Sequence, residues 1–215
     1  YLTGATAALA AVLLLGARKG KYGPDGKPRA IPGHNMPLFG LGVLILWLGW
    51  FGFNGASTLG TADNRFAEVV AVTNLGAAGG VIGALLISRL VLKSFDVGMI
   101  GNGAIAGLVA ITAPSGYIEF WPAPIIGLIA GGLVVYGVLF FDRRGLDDPV
   151  GALSAHGLAG IWGTLACGLF TSDRLAEAVG IGNEGLFYGG GLKQLGVQAL
   201  AVVLTFTVVL VLSLL

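Results

Sequence analysis

The chain has 215 residues, of which 55% are hydrophobic and 11% charged, and its mean hydropathy is +0.88. An average soluble domain is about a quarter charged, so this composition excludes a soluble globular protein and indicates a membrane protein in contact with lipid. The formal net charge is +1 with no basic stretch able to neutralise a phosphate backbone, which excludes nucleic acid as a partner. The single cysteine, Cys167, and the two separated histidines offer neither a disulfide nor metal-ligand spacing, so we expect no metal and no cofactor.

Seven stretches of the chain contain no Asp, Glu, Lys or Arg. They cover residues 1–17, 30–62, 69–88, 97–118, 120–141, 149–172 and 194–215. At 1.5 Å per residue, most of them are long enough as helices to cross a hydrocarbon core of about 30 Å. Of the 38 glycines, 28 lie within these stretches, where small residues let neighbouring helices approach closely. The sequence predicts an all-α, polytopic transmembrane helix bundle, with residues 1–215 forming a single transmembrane domain.

Positive charges alternate between the connections of these stretches. The connections after the first, third and fifth stretches hold nine Lys and Arg residues, and the others hold three. By the positive-inside rule, the chain begins outside, its first loop is cytoplasmic and Leu215 lies inside. Because the chain opens and closes within apolar stretches, we expect it to be part of a larger membrane protein.

The second stretch carries a cluster of aromatic and polar residues near its outer end. Trp50, Phe53 and Ser57 follow one another at i, i+3 and i+7, so they share one helical face. An aromatic face beside a hydroxyl can hold a small cation by cation–π attraction and a hydrogen bond. The alternative is an interfacial aromatic belt.

Two further segments combine polar residues with apolar surroundings. Thr112 and Ser115 flank Pro114 at the end of the fourth stretch, where the chain either interrupts a helix beside a cavity or leaves the membrane. His156 falls near mid-membrane in the sixth stretch, where an imidazole either serves a functional cavity or is satisfied by a neighbouring helix. His34 lies between two prolines, which is typical of a loop or helix cap.

The acidic pair before the His156 stretch has a simple structural interpretation. Asp147 and Asp148 precede Pro149, and acidic residues suit the positive end of a helix that begins there. We therefore expect both carboxylates to cap that helix.

Several motifs in order resemble the ammonium transporter family, which includes the methylammonium permeases and Rhesus proteins. They are Pro-Gly-His-Asn-Met-Pro at 32–37, Gly-Trp-Phe-Gly-Phe-Asn at 49–54, Ala-Gly-Leu-Val-Ala-Ile-Thr at 106–112, Asp-Asp-Pro at 147–149, and His-Gly at 156–157 followed by Gly-Leu-Phe at 168–170. The resemblance implies an eleven-helix protomer in a homotrimer with one pore per protomer. It places this chain from the end of the fifth helix to part of the eleventh.

The resemblance also implies roles for individual residues. Phe53 corresponds to one of two stacked phenylalanines that close the outer vestibule, Ser57 to a hydroxyl of the external ammonium site, and Trp50 to a pore wall. His156 corresponds to the second of two paired pore histidines. Tyr1 stands where the first is expected, and Thr112 is included among the pore residues. The family often binds a PII-type regulatory protein at its cytoplasmic face.

These observations lead to a transport hypothesis. An ammonium ion is recruited at the aromatic vestibule and deprotonated, and ammonia then passes through a hydrophobic pore lined by His156. The alternative is an ammonium sensor whose transporter-like domain signals to a cytoplasmic module. Neither hypothesis makes the protein an enzyme, since no nucleophile, base and acid set is visible.

Overall fold

The computed structural model describes residues 1–180 and 182–215, and within them every regular element is helical. The α-helices are α1 (Leu2–Leu15), α2 (Met36–Ala56), α3 (Arg65–Leu92), α4 (Val97–Thr112), α5 (Pro122–Arg143), α6 (Ala159–Phe170), α7 (Asp173–Val179) and α8 (Lys193–Leu214). A π-helix (Leu153–Leu158) runs directly into α6, and a 3₁₀ helix covers Leu186–Tyr188. The predicted all-α bundle is confirmed.

Each of the seven charge-free stretches contains one apolar helical segment. Five of these segments are long and apolar enough to cross a membrane: α2, α3, α5, α8 and the continuous segment Leu153–Phe170. The helices α1 and α4 are also apolar but shorter. The short helix α7 was not predicted.

The centre of the bundle is a three-helix contact between α3, α4 and α5 that depends on glycine. A Cβ on Gly107 of α4 or Gly127 of α5 would collide with the carbonyl oxygen of Gly76 on α3. A Cβ on Gly131 of α5 would likewise collide with the backbone of Gly80. The prediction that glycines let neighbouring helices approach closely is therefore confirmed, because the helix backbones touch at these positions.

The helix α4 ends at Thr112, before the charge-free stretch 97–118 does. Residues 113–117 form turns in which Ser115 Oγ donates to the Thr112 carbonyl and Tyr117 N–H donates to the Pro114 carbonyl. Pro114 has no N–H with which to continue the helical ladder. The chain therefore leaves the helix here and does not resume it before α5, which leaves the Thr112 side chain at the end of α4.

The first loop is tied to the opposite end of the bundle from Tyr1. Arg18 bonds Asp147, and Lys21 Nζ lies 2.8 Å from Asp142 Oδ1 at the end of α5. His34 lies in this loop, as predicted, and the adjacent Asn35 caps α2 by accepting from Leu38 N–H. Because α1 also packs against the π-helix and α8, Tyr1, which directly precedes α1, lies close to His156.

Candidate functional site

The α2 side of the site consists of two aromatic rings in edge-to-face contact. Trp50 is buried, with 8% of its surface exposed, whereas Phe53 is 57% exposed. Their ring centroids lie 5.9 Å apart at an interplanar angle of 86°. Trp50 and Phe53 therefore share a face of α2, as predicted. Phe53 forms the exposed part of that face and Trp50 the buried part.

Ser57 lies directly after the last residue of α2. Its hydroxyl donates to the carbonyl of Phe53 at 2.7 Å, and the residue is exposed. The donor of Ser57 is thus used within its own helix, while the lone pairs of its oxygen stay available to accept an N–H from outside.

Tyr1, at the start of α1, connects α2 to the His156 helix. Its ring stacks on Trp50 with centroids 5.7 Å apart at 22°, and on His156 with centroids 5.8 Å apart at 21°. Phe53 approaches the same ring edge-on at 6.4 Å. Four of the predicted residues therefore form one aromatic array, which we call the Trp50–Tyr1–His156 stack with Phe53 at its edge.

Thr112 joins the polar atoms of this array. Its hydroxyl donates to the Leu108 carbonyl at 2.7 Å and accepts from Trp50 Nε1 at 2.8 Å. Tyr1 Oη lies 3.4 Å from the same hydroxyl. Because the hydroxyl hydrogen of Thr112 is committed to Leu108, Tyr1 must be the donor in this longer contact, and the lone pairs of its phenol oxygen remain free.

His156 contributes the third ring from the π-helix. The imidazole is half-buried, and in the described part of the chain neither ring nitrogen has a hydrogen-bond partner. The imidazole contacts Tyr1 through its ring face, while the phenol oxygen of Tyr1 bonds Thr112. A single π-turn within a helix is frequent at functional sites, and periodicity in the sequence did not reveal this one.

The two acidic residues before this helix have different roles. The Asp148 carboxylate accepts from the backbone N–H groups of Ala152 at 2.9 Å and Leu153 at 2.7 Å, so it caps the helix as predicted. The prediction that Asp147 also caps it was wrong. Asp147 instead binds Arg18 through the guanidinium at 2.7 and 2.8 Å and through the backbone N–H at 2.9 Å. These bonds lower the pKa of Asp147 to about 2.

A small apolar cavity adjoins the His156 helix on the side facing α1 and α8. Its volume is about 80 Å³, and Leu2, Ala5, Gly157 and Phe206 are among its lining residues. Within residues 1–180 and 182–215, no group of three or more His, Cys, Asp and Glu side chains is placed to hold a metal ion. The site thus offers ring faces and a few unpaired nitrogen and oxygen lone pairs in an apolar setting.

The comparisons with known proteins agree on one family. The model described as Ammonium Transporter Family matches residues 1–215. The ammonium transporter Amt2 of Archaeoglobus fulgidus is 47% identical over 196 residues, which cover 87% of this chain and 42% of that protein. The ammonium transporter of Bacillus subtilis is 35% identical over 214 residues, which cover 99% of this chain and 50% of that protein.

Solved structures give the same result. A structure titled sensor Amt protein superposes with a TM-score of 0.90 at 36% identity, covering 99% of this chain and 51% of its own. Saccharomyces cerevisiae Mep2 superposes with a TM-score of 0.86 at 29% identity, covering all of this chain and 49% of its own. The chain therefore spans about half the length of the proteins that it matches.

Proposed function

Because the chain belongs to the ammonium transporter family, we propose that it forms part of a pore through which a multi-pass membrane protein moves ammonium or ammonia. In this proposal the chain supplies the segment from the end of the fifth helix to part of the eleventh. The observation that carries the proposal is the Trp50–Tyr1–His156 stack, because it draws three separate helices around one set of unpaired polar atoms.

Recruitment of the cation is assigned to the α2 end of the site. The exposed ring of Phe53, with the buried indole of Trp50 beside it, offers a π face to an ammonium ion, and a cation–π contact of this kind contributes about 0.5–2 kcal/mol. The oxygen of Ser57 can accept one N–H, since its own hydrogen is bonded to the Phe53 carbonyl. These groups replace part of the ion's hydration at the entrance.

Loss of the proton follows from the cost of burial. An isolated ion transferred into an apolar medium loses tens of kcal/mol of solvation by idealised Born estimates, whereas neutral ammonia avoids most of this cost. The proton therefore passes to water at the exposed entrance, before the narrow part of the pore. Past that point ammonia carries one lone pair and three N–H donors, which match a neutral imidazole with one donor and one acceptor nitrogen.

His156 and Tyr1 then serve as hydrogen-bonding sites for the neutral amine. The ring nitrogens of His156 are without partners among the described residues, and the phenol oxygen of Tyr1 keeps its acceptor lone pairs because it donates to Thr112. Where the family resemblance implies an imidazole, Tyr1 supplies a phenol, which does not take up a proton near neutral pH. The chain therefore has one imidazole here and not two.

Transport is tested with the full-length protein in liposomes that contain a pH-sensitive dye. An inward ammonium gradient should raise the internal pH if ammonia crosses alone and takes up a proton inside. A current on a supported membrane would show that charge crosses as well. Neither signal above that of empty liposomes would contradict the proposal that this domain conducts.

A second candidate function is ammonium sensing. It is favoured by the TM-score of 0.90 with the sensor Amt protein and by Tyr1, since the family resemblance implies a pore imidazole at that position. Here the transporter-like domain binds the cation and signals to a cytoplasmic module. Saturable ammonium binding without flux in the liposome experiment supports sensing, and flux at transporter-like rates supports conduction.

The assembly of the full protein is also proposed from the family. We expect a homotrimer in the membrane with a PII-type regulatory protein at the cytoplasmic face. Native mass spectrometry of the detergent-solubilised protein tests both expectations, since a monomeric mass or a failure to bind PII would contradict the respective one.

A further inference from the structure

The helix that carries His156 departs from α-helical geometry at the histidine itself. Residues Leu153–Leu158 form a π-helix, and the N–H of Ala159 bonds back to the carbonyl of Ser154, five residues earlier. Compared with an α-helix, this turn contains one extra residue. Segments on either side of a π-turn are therefore rotated by about 100° and displaced by about 1.5 Å relative to a continuous α-helix.

The segment after the π-helix cannot rotate to absorb this difference. Trp162 Nε1 donates to the carbonyl of Ile126 on α5 at 3.0 Å. Gly163 lies directly on the backbone of Ala110 on α4, where a Cβ would collide. Because α6 is fixed to both α4 and α5, a change from π to α geometry has to turn the part that bears His156.

The segment before the π-helix is held by a residue from another helix. Asn102, in the second turn of α4, donates through Nδ2 to the carbonyl of Val150 at 3.1 Å. Gly151 has φ +75°, and a Cβ there would lie 2.9 Å from the same Asn102 nitrogen. The amide of Asn102 thus occupies the place of a side chain at Gly151 and fixes the turn from which the helix starts.

The π-helix is not stabilised by its own polar side chain. Ser154 is fully buried, and its hydroxyl has no hydrogen-bond partner among the described residues. The register therefore depends on the contacts at the start of the π-helix, where Asp148 caps the first N–H groups and Asn102 holds the Val150 carbonyl, and on the fixed position of α6 after it.

We propose that Asn102 is a positioning residue for the pore, since its bond to the Val150 carbonyl keeps the π-helical register that stacks His156 on Tyr1. The effect on transport rests on the proposed function, whereas the effect of Asn102 on the position of His156 does not depend on transport. Without the bond, the turn at Gly151 relaxes, the extra residue is lost from the helix, and the imidazole rotates away from the stack.

The test uses substitutions in the full-length protein that separate the donor from the packing. Asn102→Asp keeps the shape but replaces the NH₂ donor with a carboxylate oxygen, and Asn102→Leu removes both polar atoms. Ser154→Ala is the matched control on the π-helix, because it deletes a hydroxyl that has no hydrogen-bond partner among the described residues. Gly151→Ala disturbs the same contact from the Gly151 side, and it replaces the Asn102 variants in the test if those variants do not fold.

Two readouts distinguish positioning from a general loss of stability. Cryo-electron microscopy of Asn102→Asp should show an α-helical turn at 153–158 with the imidazole displaced from Tyr1. Methylammonium uptake per folded protein should fall about 10- to 100-fold in maximal rate, as expected for a group displaced by about 1 Å or more. The KM, assigned to the entrance at Trp50 and Phe53, should change little, and Ser154→Ala should match the wild type in both readouts.

The inference is overturned if the π-helix and the His156–Tyr1 stacking persist in Asn102→Asp or Gly151→Ala. It is also overturned if the register changes while the maximal rate does not. A wild-type protein without any flux would contradict conduction, but the microscopy would still decide whether Asn102 sets the position of His156.

Discussion

Removal of the Asp147 carboxylate should destabilise the protein by about 2 kcal/mol at neutral pH. The side chain of Asp147 is 1% exposed and receives two hydrogen bonds from the Arg18 guanidinium and one from the Arg18 backbone. The bonds from Arg18 outweigh the cost of burial and lower the pKa of Asp147 from 3.8 to about 2. At about 1.4 kcal/mol for each pH unit, the ionised carboxylate contributes about 2 kcal/mol to folding.

The pH dependence of this contribution has a definite sign. A carboxylate whose pKa is lowered by folding stabilises the protein fully above its unfolded pKa, and the stabilisation is lost as the pH falls through the folded pKa. For Asp147 the loss therefore occurs between about pH 4 and pH 2. The difference in the free energy of unfolding between wild type and Asp147→Asn should be largest above pH 5 and should shrink over that interval.

The assay is unfolding of the detergent-solubilised full-length protein, followed by circular dichroism at several pH values. Asp25→Asn is the control, because Asp25 forms an exposed pair with Lys27 at 3.8 Å. Exposed pairs of this kind contribute less than about 1 kcal/mol. The reasoning would be refuted if the two variants were equally stable, or if the effect of Asp147→Asn were the same at pH 3 as at pH 6.

Two further substitutions test the site and the scaffold by thermal unfolding. Thr112→Val should lower the free energy of unfolding by about 1–3 kcal/mol, because the buried N–H of Trp50 loses its acceptor. The control, Thr164→Val, removes only a bond to the carbonyl of its own helix. Equal losses of stability in the two variants would contradict the role of Thr112. Gly127→Ala should destabilise the fold by about 1–3 kcal/mol or more, because the added Cβ collides with the backbone of α3. The control, Gly49→Ala, places its Cβ in open space. Unchanged stability of Gly127→Ala would contradict the close packing of α5 on α3.

The helical class of the fold was predictable because each segment carries its own signal. Absence of charge over about 20 residues is a local property, and it located all seven apolar helical segments. The close approach of helices at glycines, as at Gly107 and Gly127, followed from composition in the same way. The orientation in the membrane stays a prediction from the charge of the loops.

The contacts between helices were less predictable, since they depend on three-dimensional packing. Spacing placed Trp50 and Phe53 on one face, but nothing local indicated that Thr112 accepts the indole N–H from a helix 62 residues distant in sequence. The ion pair of Asp147 with Arg18 spans 129 residues, so the acidic pair was assigned to capping alone. The roles of Tyr1 and His156 came from the family resemblance, and only the coordinates show their stacking.

The π-helix was missed for a different reason. An amphipathic pattern of period 3.6 cannot reveal one extra residue in a helix that is buried on most sides. The available sequence signals were Gly151 before the π-helix, Gly157 within it, and Asn102, which lies on another helix. None of these signals specifies a π-turn without the contact that joins them.

The most direct test of the pore is methylammonium uptake by the full-length protein with His156→Ala, compared with His34→Ala in the first loop. If the imidazole of His156 binds the amine within an apolar conduit, His156→Ala should lose uptake or convert it to a charged, current-carrying leak. His34→Ala should keep the wild-type rate. Wild-type uptake without current in His156→Ala would contradict the account.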